Sequence, residues 1–178
     1  EIPAQTDSKE VKAHFNQSQA GIEIKDLSFA YGDQKLFENL NIDFKAKTST
    51  ALVGPSGSGK TTLISLLLRF FEIDSGSIEI EGINIQDLSL NNLRKQFALV
   101  SQEALLFSTS LRENVIYGLG SEHNLNPQEL EERFQASCKK AHVTEFMEKL
   151  PQKANSNIGE AGNSLSVGQK QRLSIARA

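Results

Sequence analysis

The sequence predicts an α/β fold, in which an N-terminal antiparallel β subdomain and an α-helical insertion join a core of strand, loop and helix. Three observations carry this expectation. Apolar and polar residues alternate in "IEIKDLSFAY" and again in "GSIEIEGINI", as they do in half-buried strands. A short apolar run, Ala51 to Val53, passes through a Gly/Ser loop into "LISLLL", the order of a strand, a turn and a helix. Beyond Phe107 the apolar spacing changes to that of helices, and two helix-start signals appear.

Taken in order, "IEIKDLSFAY" meets a "YGDQ" turn and "LFENLNIDFKAK" supplies a second strand. The run Ala51 to Val53 is a short buried strand, and the helix after the loop is apolar on most sides, which places it centrally. "GSIEIEGINI", broken by Gly82, reads as a hairpin, and "LRKQFALVSQ" as a short helical turn followed by another buried strand. Ser110 with Glu113 three residues on forms a capping box. Asn126, Pro127 and Glu129 open a helix in the same manner, with Leu130, Phe134, Cys138 and Ala141 at helical spacing. Val143, Phe146, Met147 and Leu150 share one face of a further short helix that ends at Pro151. All of these apolar positions are assigned to the core. Residues 1–20 are polar and unpatterned and read as a linker, residues 21–178 as the domain, with the helical subdomain over approximately 108–170.

The chain's 178 residues suit one domain, and a formal net charge of −3 offers no basic surface, so nucleic acid is not an expected partner. The single cysteine, Cys138, forms no internal disulfide and is expected to be half-buried on its helix. The longest apolar run, "LISLLL", falls far short of the ~20 residues a membrane helix needs, so no direct membrane insertion is expected. The only methionine is Met147, and both ends read as cuts in a longer protein.

The strongest local signal is "GPSGSGKT", which fits G-x-x-x-x-G-K-[ST] at every fixed position and lies between an expected strand and an expected helix. Glycines at Gly54, Gly57 and Gly59 let the backbone curl so that successive N–H groups converge on phosphate oxygens at a helix's positive end. Lys60 adds a point charge for the β- and γ-phosphates, and Thr61 a hydroxyl for Mg²⁺. The pattern implies a bound nucleoside triphosphate. A GTPase would carry an Asn-Lys-x-Asp stretch, and none occurs. Tyr31, ending the first strand, is either a ring that stacks on a base or a packing residue.

"FAY", the phosphate loop, "LVSQEALLF", "NIGEAG" and "LSVGQKQRLSIARA" follow one another in an order and spacing that resemble the nucleotide-binding domain of an ABC transporter, over roughly Gly21 to Ala178. The stretch from Gly76 to Val115 is most similar to the lipid- and multidrug-exporter branch. The resemblance implies a P-loop NTPase (RecA-like) core and an ATP-driven exporter at the cytoplasmic face of a membrane. It implies that Tyr31 stacks on adenine and that Gly54, Pro55, Ser56, Gly57, Ser58, Gly59, Lys60, Thr61 and Thr62 hold the phosphates. Lys60 and Gln102 are the implied catalytic residues, with Thr61 and Gln102 on Mg²⁺, and Glu160 is implied in coupling to a fused or associated transmembrane domain. The signature Leu165, Ser166, Val167, Gly168 and Gln169 is implied to act on ATP held by a second nucleotide-binding domain, identical or paralogous. There Ser166 can donate its hydroxyl to the γ-phosphate while the Gly168 N–H and the helix end face the same anion. Val167 stands where the family usually has glycine, so close approach rests on Gly168.

The family's apolar strand ending in Asp, its catalytic Glu and its switch His fall beyond the last residue, Ala178. His14, His123 and His142 match no catalytic position. The expectation is therefore a truncated motor domain that binds ATP and hydrolyses it poorly. The alternatives are a soluble, non-transport ABC ATPase and a module in which ATP binding only controls an interaction.

Overall fold

The computed structural model describes residues 21–119 and 125–178, so the expected linker at residues 1–20, His14 and His123 lie outside the described residues. The chain divides into two compact units between Phe97 and Ala98.

The first unit is built on a four-stranded antiparallel sheet in the order β2-β1-β3-β4, comprising β1 (Ile22–Tyr31), β2 (Gln34–Phe44), β3 (Ser75–Ile80) and β4 (Ile83–Asn84). Both sequence hairpins form. The β3–β4 turn places Glu81 and Gly82 at φ of 50° and 76°, the pair of positive values that a two-residue turn matched to strand twist requires. Along β1 the buried positions are Ile24, Leu27 and Phe29, and the alternation slips by one residue where Asp26 adopts φ 48° and the register shifts. These side chains, with Ile78 and Ile80, pack against Leu63 and Leu66 of α1 (Lys60–Leu67). Ile64 on the same helix is exposed, so α1 is covered on one face and not, as the sequence suggests, on most sides.

Two arginines fasten the segment that follows α1. Arg69, buried, donates to the carbonyls of Ile85 and Leu88 at 3.1 and 2.9 Å and pairs with Glu72. Arg94, at the end of α2 (Leu90–Arg94), donates to the carbonyls of Leu68 and Arg69 and lies over the Phe70 ring. The Arg94 cation thus complements the negative end of α1, while Arg69 fastens the 3-10 turn Ile85–Asp87 to the residues that follow that helix.

Two expected strands do not form. Ala51–Val53 and the residues after Phe97 carry no strand structure, and Val53 is 93% exposed, with Leu52, Leu99 and Val100 also at the surface. An apolar segment becomes a strand only when a neighbouring backbone exchanges hydrogen bonds with it, and neither segment has such a ladder among the described residues.

The second unit is helical: α3 (Leu111–Ile116), α4 (Pro127–Lys140), α5 (Thr144–Met147) and α6 (Val167–Arg177). The expected capping boxes at Ser110/Glu113 and Asn126/Glu129 are both made. The core joins Leu111 and Val115 of α3, Phe134 and Cys138 of α4, Val143 and Met147 at the two ends of α5, the loop residue Ile158, and Leu173 of α6. Cys138 is fully buried instead of half-buried, because its helix face packs against both α3 and α6. That burial pushes its thiol up to about 11. Asn114, also fully buried, accepts from the Phe107 N–H at 2.9 Å and donates to the Phe107 carbonyl, the Thr109 hydroxyl and the Ser110 carbonyl at 3.0–3.1 Å. The loop entering α3 is thus fastened by one side chain.

Asn114→Ala should lower unfolding free energy by about 2–3 kcal/mol, read from urea denaturation, since it strands a buried loop's polar groups. Cys138 should resist a maleimide in the native chain and react only across the unfolding transition; rapid labelling of folded protein would contradict the packing of α4.

Candidate functional site

In the first unit the loop from Gly54 turns into α1 through Gly59, which serves as N-cap at φ 88° and accepts from the Leu63 N–H at 2.8 Å. Gly57 is also left-handed, at φ 81°, conformations that glycine adopts without a Cβ penalty. The Lys60 ammonium lies within the curl, donating to the carbonyls of Gly54 (2.9 Å) and Pro55 (2.7 Å) and to Ser58 Oγ (3.2 Å). The loop borders a cavity of about 420 Å³ lined by Tyr31, Gln34, Leu36, Ser56, Gly57 and Gly59 to Thr62.

Tyr31 is both a packed and an available ring. Its edges meet Phe29 (centroids 4.9 Å, 84°) and Phe71 (5.3 Å, 87°), its hydroxyl reaches Thr62 Oγ1 at 3.4 Å, and it remains 45% exposed. Gln34 and Leu36 were not legible as site residues. The signal was the hairpin itself, since its turn pairs Tyr31 directly with Gln34. A larger cavity of about 610 Å³, lined among others by Phe29, Phe37, the acidic Asp33, Glu38 and Asp74 and a single cation, Lys35, does not include the phosphate loop. Its acidic lining is the wrong charge for an anion.

The second unit carries the remaining candidates. Gln102 lies on an exposed bend next to Ser101, whose carbonyl accepts from the Gln171 amide of α6 at 3.4 Å. Glu160 is exposed at the start of a single 3-10 turn, Glu160–Gly162, in which Ala161 takes φ 48°. Gly162 sets that turn against the core, where a Cβ would stand 2.9 Å from Leu106 Cδ1.

Ser166 is the N-cap of α6. Its Oγ accepts from the Gln169 N–H at 3.3 Å while Gln169 Oε1 accepts from the Ser166 N–H at 2.9 Å, a capping box that leaves the serine O–H free to donate outward. Leu165 is buried and anchors the entry; Val167 is 83% exposed in the first helical position, and a Cβ at Gly168 would meet nothing. The first turn of α6 holds no acidic residue, and neither does that of α1, whereas α3 and α4 carry Glu113 and Glu129 there. The positive ends of α1 and α6, like that of α2 behind its Ser89 cap, are thus without a carboxylate of their own.

Further along α6, Arg172 donates to the His142 carbonyl at 3.3 Å and pairs with Glu145 at 2.9 Å. Hydrogen bonds from His142 first, then Arg172, hold the Glu145 carboxyl below its ordinary range.

The ABC transporter family profile matches residues 37–178. The chain belongs to the ABC transporter family. It is 43% identical over 157 residues to an ATP-dependent lipid A-core flippase of Desulfotalea psychrophila, covering 88% of this chain and 26% of that protein. It is 46% identical over 159 residues to ABC transporter B family member 29, chloroplastic, of Arabidopsis thaliana, covering 88% and 24%. A solved structure of a bacterial Atm1-family ABC exporter with ATP bound superimposes with a TM-score of 0.83 at 29% identity, over 98% of this chain and 30% of that one. The chain thus spans about a quarter of the length of these flippase relatives. Its α/β architecture, with an N-terminal antiparallel sheet and a helical block, is that of an ABC ATPase domain, and no helix among the described residues is long and apolar enough to cross a membrane.

Ser166→Ala should destabilise the chain by about 1 kcal/mol by removing the α6 cap, and Ser166→Asn should restore most of that, both measured by urea unfolding. Glu145 is a depressed carboxylate, so its stabilisation is present above the unfolded-state carboxylate pKa and is lost as pH falls through the lowered one. Glu145→Gln should flatten the acid-side fall of the melting temperature, followed from about pH 6 to pH 3.

Proposed function

We propose that the chain is the ATP-binding motor domain of an exporter of the ABC family, acting at the cytoplasmic face of a membrane. The observation that carries this is the single cavity shared by an aromatic ring and a glycine-rich loop at a helix N-terminus. Tyr31 stacks on the adenine, the loop from Gly54 to Thr62 takes the phosphate oxygens on its N–H groups, which every residue but Pro55 carries, and Lys60 neutralises the β- and γ-phosphates.

The cavity's Thr61 hydroxyl is an oxygen donor suited to Mg²⁺, which keeps several waters and shares its coordination with phosphates; Gln102 is the second proposed ligand. When bound, Mg²⁺ supplies charge neutralisation between the β- and γ-phosphates. Gln102 also orients the attacking water. The outward Ser166 hydroxyl, the Gly168 N–H and the uncharged first turn of α6 receive the γ-phosphate of ATP held by a second nucleotide-binding domain, so that ATP joins two domains head to tail. Glu160 meets the transmembrane domain, and cycles of closure and hydrolysis drive transport in the intact exporter.

No strand among the described residues ends in adjacent acidic residues, so the 178-residue chain binds ATP and turns it over slowly.

Lys60→Ala should reduce ATP affinity about 100-fold or more, through loss of charge-assisted hydrogen bonds; calorimetric titration giving an unchanged Kd would refute the assignment. Ser166→Asn, which retains a capping side chain, should leave ATP binding intact and abolish ATP-dependent dimerisation in sedimentation velocity. Steady-state turnover by the chain should stay near background, and robust Lys60-dependent hydrolysis would overturn the claim of slow hydrolysis.

A further inference from the structure

Strand β2 does not run evenly along β1. Phe29 pairs with Phe37 and Ala30 with Lys35, so Leu36 has no partner on β1 and forms a bulge. A bulge re-aims the side chains beside it, and here two consecutive residues, which in a regular strand would point to opposite faces, both reach the same target. That target is Gly59. A Cβ on Gly59 would stand 2.6 Å from Phe37 Cζ, 2.8 Å from Phe37 Cε1 and 3.3 Å from Leu36 Cδ2. The ring edge of Phe37 thus occupies the space that any other residue at position 59 would fill.

The contact falls at the point where the phosphate loop becomes a helix. Gly59 caps α1 at φ 88°, and its position fixes the direction of the Lys60 and Thr61 N–H groups. Phe37 is also the cross-strand partner of Phe29, whose ring stands 4.9 Å from Tyr31. One bulged hairpin therefore touches both ends of the site, with Tyr31 on one strand and the stop for Gly59 on the other. Phe37 itself lines the larger, acidic cavity and not the one shared by Tyr31 and the loop, so it acts on the ligand only through Gly59.

We propose that Phe37 is a positioning residue for phosphate binding, which holds Gly59 and so sets the phosphate loop relative to the Tyr31 ring. This rests on the reading of the cavity as an ATP site. It predicts that disturbing Phe37 weakens recognition of the β- and γ-phosphates and spares recognition of the nucleoside end.

The test compares ATP with AMP by calorimetric titration of the 178-residue chain and two variants that disturb the contact in opposite senses. Phe37→Ala removes the stop. Phe37→Tyr keeps the core and adds an oxygen on Cζ, the atom nearest the position of a Gly59 Cβ, and so decides the matter if Phe37→Ala does not fold. In each folded variant the ATP Kd should rise about tenfold with AMP changed by less than about twofold and stoichiometry kept, since a small misplacement of a binding loop is felt only by the groups it holds. A merely structural role would lower both affinities together or reduce the binding-competent fraction, and that result, like an unchanged ATP Kd, overturns the proposal. Lys60→Ala separates the two readings. ATP binding that survives it refutes the phosphate-loop assignment, whereas ATP binding lost there and unaltered in both Phe37 variants refutes the role of Phe37 alone.

Discussion

The structure's chemistry depends on one constraint: a helix N-terminus has backbone N–H groups with no partner in its own helix, and something must satisfy them. In α3 and α4 the chain answers locally, with Ser110 or Asn126 as cap and a glutamate at the third position. In α1 it supplies no side-chain cap at all, because Gly59 has none to give, and no acidic residue in the first turn. In α6 the cap is Ser166, but the third position is a neutral Gln169. The box geometry is kept and its negative charge removed. Thus α3 and α4 neutralise their own positive ends, whereas the two helices that carry the motifs, like α2 behind its Ser89 cap, do not, and on the proposed reading those two leave theirs to a ligand.

That division explains why the two motifs differ in build. On the proposed reading the phosphate loop has to wrap an anion closely, which suits its left-handed glycines at Gly57 and Gly59 and a lysine whose ammonium already lies inside the curl. The signature, on the same reading, has only to present an end. It therefore needs ordinary helix geometry with little bulk, and Gly168, beside which a Cβ would meet nothing in its own chain, is the residue in it that no internal contact explains. Val167, exposed and helical, fits because a first helical position asks for negative φ and nothing more.

The sequence made the periodic and punctuated features legible. Both hairpins, both glutamate-containing capping boxes and the helical core positions from Phe134 to Met147 follow from spacing and from residues with one strong conformational preference. The run at Ala51–Val53 and the one after Phe97 failed as strands because strand identity belongs to a pair of backbones, and apolar composition says nothing about whether a partner is at hand. The meeting of Phe37 with Gly59 was hidden for a related reason. It depends on a bulge that shifts the facing of two residues, and a period-two reading of "KLFENL" assigns Leu36 and Phe37 to opposite faces. Cys138 was placed on the correct face but too near the surface, since the depth of a helix stripe depends on how many neighbours cover it.

The second unit also shows how unevenly its loops are held. The segment from Phe107 to Ser110 is tied to the fully buried Asn114 side chain, whose amide accepts from the Phe107 N–H and shares its two N–H donors among the Phe107 carbonyl, the Thr109 hydroxyl and the Ser110 carbonyl, so a shift disturbs several contacts at once. The bend that carries Gln102 is linked to α6 by the Gln171 amide on the Ser101 carbonyl at 3.4 Å, near the limit of a hydrogen bond. Segments with exposed side chains and few, long hydrogen bonds open at low free energy, while those fastened to the core open with it. Such a tether suits the role proposed for Gln102: it keeps the bend beside the helix that bears Ser166, yet yields at little cost.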